Sequence, residues 1–224
     1  ADTDVAIQLA DLYLHEDRLD EAAGVLTRAN DAAGGGSLEV RDRLEEIGLR
    51  RVRRQVAAAE QQFASDPSDD ARAALANYRR QANQVELEVY AARSDRDVGN
   101  LRLKYELGVR LKRAGKPKEA IPVLQAARGD TGRLPLVLVE LGECFQKIEQ
   151  YKLALSHYEQ AIDAAGDAHA DVRKLALYRA GVLATGLREL DLAERRLTEL
   201  AGLDSSYRDV ADRLDKLSEL RDSS

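Results

Sequence analysis

The sequence predicts an all-α protein, and three observations carry that prediction. A pattern of apolar and small residues repeats itself at a spacing of 34 residues between Leu101 and Gly166. Elsewhere apolar residues recur in steps of three and four, the spacing of one helix face. Aromatic residues make up only 4% of the chain while alanine is plentiful, which suits slim, closely packed helices.

The duplicated pattern comes first in the argument. One copy runs YELGVRL, breaks at Gly115 and continues KEAIPVLQAA; the next runs VELGECF, breaks at Glu149 and Gln150 and continues YKLALSHYEQA. Gly108 and Gly142, Ala120 and Ala154, and Ala127 and Ala161 are each 34 apart. So are Leu107 and Leu141, Leu111 and Phe145, and Leu124 and Tyr158. Each copy is expected to be two short amphipathic helices, with Gly or Ala where they cross and large apolar residues filling the gap. One such hairpin cannot cover its own apolar face, so neighbours must stack.

This order of Leu-Gly, a large residue and two spaced alanines resembles the tetratricopeptide repeat. The resemblance implies an α/α superhelical repeat, a solenoid of helix pairs. It covers Asp4 to Asn30 and Leu101 to Ser206.

From the amino terminus, Leu9, Ala10 and Tyr13, then Leu19, Ala22, Leu26 and Ala29, form one copy. Gly34, Gly35 and Gly36 end it, and Ser37 is placed to cap the next helix. From Leu38 to Ser65 one uninterrupted helix is expected, about 42 Å long at 1.5 Å per residue. Asp66, Pro67 and Ser68 turn the chain into a second long helix from about Asp69 to Arg93. Leu49, Val52, Val56, Ala59 and Phe63 on one, and Ala71, Leu75, Tyr78, Ala82, Val85, Val89 and Ala92 on the other, make the seam of an antiparallel coiled coil. This long antiparallel helical hairpin departs from the repeat pattern and is expected as an insertion.

A loop from Asp95 to Asn100 leads into the two clear copies. Pro117 suits a helix start, whereas Pro122 implies a kink unless its helix begins near Lys118. Beyond Gly166 a longer linker precedes a further copy, with Gly181 following Gly142 by 39 residues rather than 34. Val210, Leu214, Leu217 and Leu220 mark a closing helix. The expected organisation is a helix pair over 1–33, the hairpin over 37–94, three pairs over 97–206 and a capping helix over 207–224.

Composition narrows function more than it names it. With 44% hydrophobic and 33% charged residues the chain is a soluble, folded protein. Forty acidic against 34 basic residues give a net charge of −6, so no global basic field argues for nucleic acid or an anionic membrane. No apolar run approaches the roughly 18 residues of a membrane span, and the first residues given lack the charged-then-apolar layout of a signal peptide. Cys144 is the one cysteine, which rules out an internal disulfide or a cysteine metal cluster. The compartment stays open, leaning to a reducing one such as the cytoplasm. The chain opens inside a repeat-like helix and contains no Met, so it is expected to be the folded part of a longer protein.

No catalytic constellation stands out, so no cofactor, no metal and no enzymatic role are expected. His15, His157 and His169 have no ligand spacing and are expected in surface or capping roles. Cys144 is expected as a buried filler. Arg50, Arg51, Arg53 and Arg54 are expected to flank the coiled coil and pair with acidic residues on the facing helix.

The family resemblance implies that the first helix of each pair lines a concave groove in which a partner peptide lies. Carried over by position, the groove comprises Arg102, Tyr105, Val109 and Lys112; Val139, Glu143 and Gln146; and Tyr178, Val182 and Thr185. Tyr105 and Val109 stand where a carboxylate-clamping subgroup has Lys and Asn, so a chaperone-tail clamp is not expected. The expected function is a non-enzymatic scaffold binding a protein or peptide, with self-assembly through the hairpin or the amino-terminal edge as the alternative.

Overall fold

The computed structural model describes residues 3–222; the expected first pair and capping helix extend at residues 1, 2, 223 and 224 outside them. Among the described residues there are eleven α-helices, one 3-10 turn and no strand. No helix among them is long and apolar enough to cross a membrane. The chain forms two compact units, one ending at Ala92 and one beginning at Arg93.

The first unit contains α1 (Thr3–His15), α2 (Leu19–Ala32), α3 (Leu38–Ser65) and most of α4 (Asp69–Arg96). Ile7 and Ala10 of α1 and Leu19, Ala22 and Leu26 of α2 form a core with Val40 and Ile47 of α3. Full burial of a Leu or Ile contributes about 1.5–3 kcal/mol, so this cluster fixes α3 against the pair. Three successive glycines make the corner, all at positive φ (76°, 78° and 103°), which only glycine adopts freely. Ser37 then accepts a hydrogen bond from the Val40 N–H at 3.4 Å and starts α3.

After the turn at residues 66–68, the Ser68 hydroxyl accepts from the Ala71 N–H at 3.2 Å and starts α4. Two ion pairs bridge the long helices, Arg53–Glu86 at 3.7 Å and Arg79–Glu60 at 2.7 Å. As one partner's number rises the other's falls by the same amount, so the helices run antiparallel. Leu49, Ala59, Ala71, Leu75, Ala82 and Val89 are buried along the seam, while Tyr78 is exposed.

The arginine run behaves differently from the sequence expectation. Arg53 does face Glu86 across the hairpin, but its three neighbours turn to the α1–α2 connection. Arg50 donates to the Leu14 carbonyl at 3.2 Å, Arg51 to the Asp20 carboxylate at 2.5 Å, and Arg54 to the Asp17 carbonyl at 2.9 Å. The reason is that a helix end leaves carbonyls without intrahelical donors, and guanidinium groups supply several.

The second unit holds α5 (Leu101–Arg113), α6 (Pro117–Ala127), α7 (Leu134–Lys147), α8 (Tyr151–Ala164), α9 (Ala170–Gly186), α10 (Leu190–Leu203) and α11 (Val210–Asp222). Asn100 caps α5, its side chain accepting from the Leu103 N–H at 3.1 Å. Each helix packs on the next in order, and α5, α7 and α9 also touch as a row. A glycine on the first helix of each pair receives a bulky residue of the second. A Cβ on Gly108 would lie 2.6 Å from Leu124, and one on Gly181 2.7 Å from Leu197. Gly142 is closed in the same way by the Tyr158 ring.

α6 begins at Pro117, which satisfies the geometry of a first-turn proline, and Pro122 then lies inside the helix. The Lys118 carbonyl therefore lacks its usual N–H donor. The five additional residues before Gly181 do not form a loop alone. They lengthen the helices on either side: α8 runs on to Ala164 beyond Tyr158, further than α6 runs beyond Leu124, and α9 starts earlier ahead of Gly181 than α7 does ahead of Gly142. Behind the last pair, Val210 and Leu217 of α11 are buried as it packs on α10.

Candidate functional site

The row of first helices α5, α7 and α9 carries all ten residues singled out from the sequence. Val109, Lys112, Val139 and Tyr178 are less than one-tenth exposed. Tyr105, Glu143, Gln146, Val182 and Thr185 are half-buried, and Arg102 is exposed.

Electrostatics links the three helices. The Lys112 ammonium pairs with both Glu140 and Glu143 of α7. Glu143 also accepts from Arg179 of α9 at 3.0 Å, and Lys147 donates to the Lys112 carbonyl at 3.2 Å. Burial disfavours the charge on Lys112, but the two glutamates outweigh it and hold the ammonium above the ordinary lysine range. Burial likewise opposes ionisation of Glu143, yet Lys112 and Arg179 keep its carboxyl below its usual value. Both members of the pair are thus charged at neutral pH. Within α5, Arg110 pairs with Glu106. Tyr105 stands beside these carboxylates, and burial followed by their charge pushes its phenol up to about 12.

Other residues of the row are engaged locally. Gln146 accepts from the Tyr158 hydroxyl at 2.9 Å, and Thr185 donates to the Gly181 carbonyl at 2.9 Å. Tyr178 lies under the segment leading into α11: its hydroxyl donates to Asp209 at 2.7 Å and accepts from Arg213 at 3.1 Å. The Arg208 guanidinium sits 4.7 Å from the centre of its ring, and Tyr207 packs edge-on at 5.9 Å.

Sequence reasoning missed Glu140 and Arg179. The signal was present: Glu106, Glu140 and Arg179 follow Tyr105, Val139 and Tyr178 directly, so a charge recurs beside the groove position in each copy. His157 was expected at the surface but is nine-tenths buried, stacked 4.9 Å from Phe145 with Nδ1 2.8 Å from the Leu153 carbonyl. It takes a position where the helix faces its neighbour. Cys144 is fully buried, and burial pushes its thiol up to about 11, far from a nucleophile's range. Among the described residues no group of three or more His, Cys, Asp or Glu side chains could hold a metal ion.

These glycine-seated pairs, stacked with their first helices in a row, are the tetratricopeptide-repeat fold. Solved structures agree. The chain is similar to YrrB, a TPR protein with an unusual peptide-binding site, at a TM-score of 0.59 and 17% identity, over 94% of this chain and 90% of that one. It is similar to the MamA RS-1 ArsTM double mutant at 0.60 and 16%, over 92% and 97% respectively. BtubC of P. vanneervenii follows at 0.53 and 14%, over 78% and 83%. No family model and no curated protein matches the sequence, so the likeness is one of fold.

Proposed function

We propose that the chain is a non-enzymatic scaffold that binds a peptide or protein segment along α5, α7 and α9. The observation that carries the reading is the ion-pair network Lys112–Glu140–Glu143–Arg179, which ties three successive first helices into one face. Fixing that face before binding lowers the entropy lost on association. Arg102, Tyr105 and Val182 retain exposed surface there, and Tyr105 offers an aromatic anchor with a protonated hydroxyl. The similarity to YrrB, whose description includes a peptide-binding site, supports the same reading. Val109, Val139 and the covered Tyr178 are buried and leave little surface for a partner.

The test is to capture a partner with the intact chain, identify it by mass spectrometry, and compare its binding to Tyr105→Ala and Val182→Asp variants. Loss of about tenfold or more in affinity, with unfolding curves unchanged, is expected for burial of such side chains. Unchanged affinity in both variants rejects the face.

A further inference from the structure

The candidate face holds spare positive charge in a chain that is negative overall, at −6. Its carboxylates are matched: Glu106 by Arg110, Glu140 by Lys112, Glu143 by Lys112 and Arg179, and Asp209 by Arg213. The exposed guanidiniums of Arg102 and Arg208 have no carboxylate among the described residues. Arg102 stands one turn ahead of Tyr105 on the same side of α5. Arg208 stands at the other end of the row, over Tyr178 of α9.

Arg208 is the more closely held of the two. Its backbone takes a φ of 52°, in the left-handed region that a residue with a Cβ enters at a cost. Its guanidinium lies 4.7 Å from the centre of the Tyr178 ring and 5.4 Å from that of Tyr207. Contact with the rings positions the side chain without using its N–H donors. The neighbouring Asp209 does not take them, because its carboxylate accepts from the Tyr178 hydroxyl and from Arg213. What is left is an ordered guanidinium fit for a carboxylate, which accepts two of its N–H groups at once.

Building on the reading of α5, α7 and α9 as a binding face, we propose that the segment bound there is acidic. One of its side-chain carboxylates accepts from Arg208 at the α9 end of the row, and another accepts from Arg102 at the α5 end. Holding Arg208 in place beforehand reduces the entropy lost when that pair forms.

A random dodecapeptide library displayed on phage, selected on the intact chain, is the probe, and an enriched peptide is then synthesised and titrated. Enriched peptides should share Asp or Glu at fixed positions. Arg208→Met and Arg102→Met chains should each bind about tenfold more weakly, the effect of losing a hydrogen bond between charged groups. Replacing the matching acidic residue of the peptide by its amide should weaken binding to the parent as much, and binding to the Arg208→Met chain hardly further. Both arginines are exposed, so unfolding curves should match the parent. Enriched peptides that lack acidic residues, or that bind both variants as tightly as the parent, overturn the acidic occupant; loss of their binding to Tyr105→Ala would leave the face itself standing. No enriched peptide at all overturns the face and its occupant together.

Discussion

The ring of Tyr158 lies across Gly142 so closely that no side chain fits between them, while its hydroxyl donates to Gln146 one turn further along α7. The pair sets how near α7 and α8 can approach, and Leu124 over Gly108 and Leu197 over Gly181 do the same for their own pairs. Gly142→Ala should therefore destabilise the chain by about 1–3 kcal/mol, the usual cost of overpacking. Gly24, inside α2, has nothing within 4 Å of where a Cβ would stand. Gly24→Ala should stabilise by roughly 0.5–1 kcal/mol. Chemical denaturation of both variants checks the contrast; equal effects would show that the seat is not what holds the helices.

The connection inside each pair contains one residue in the left-handed region. These are Asp17, Gly115, Glu149 and Arg188, with φ of 63°, 76°, 62° and 63°. In each case the following N–H reaches five residues back, as Lys116 to Leu111 and Gln150 to Phe145, both at 2.9 Å. Only Gly115 takes this conformation without steric cost. Glu149→Gly and Arg188→Gly should each stabilise by about 1 kcal/mol, and Gly115→Ala should destabilise by a similar amount. Thermal and denaturant unfolding of the three variants measure it.

Lys112 neutralises two carboxylates in a partly enclosed place. Lys112→Met leaves Glu140 and Glu143 facing each other, and should cost about 2 kcal/mol at pH 7, below the figure for a wholly buried pair because both glutamates keep some solvent. At pH 4 protonation relieves the repulsion, so the cost should shrink. Unfolding free energies of parent and variant at the two pH values provide the comparison.

Burial holds the His157 imidazole below its ordinary pKa, with the nearby Arg128 charge adding to the effect and the bond to the Leu153 carbonyl opposing it. Between the folded and unfolded values the unfolded chain binds more protons, so stability rises with pH there. The contribution is present above about pH 6.5, the unfolded histidine value, and is lost as the pH falls below it. His157→Phe should flatten that part of the profile. Denaturation from pH 5 to 8 reads the difference.

Much of the fold was legible because the repeat puts its chemistry at fixed intervals: the Gly108 and Gly142 seats, the Ser37 cap and the triple-glycine corner are all local signals. The arginine run was harder. Arg50, Arg51 and Arg54 look identical in sequence to Arg53, yet Arg50 and Arg54 reach the Leu14 and Asp17 carbonyls and Arg51 the Asp20 carboxylate at the start of α2, which no local pattern brings near α3. The candidate face was half legible. Position along the repeat found Tyr105 and Lys112, but whether a side chain is open or spent depends on the neighbouring helix. Tyr178 is covered by Asp209, Arg208 and Arg213, from a turn 30 residues downstream.

The added length at the end of α8 and the start of α9 changes the distance between seats along the chain and leaves the seats themselves alone. In every pair the small residue and its bulky lid are sixteen apart: Ala10 and Leu26, Gly108 and Leu124, Gly142 and Tyr158, Gly181 and Leu197. A ruler of constant length laid along the letters loses its place between α8 and α9. A search for that sixteen-step couple does not, and kindred chains whose copies have drifted further apart in length should still be recognisable by it.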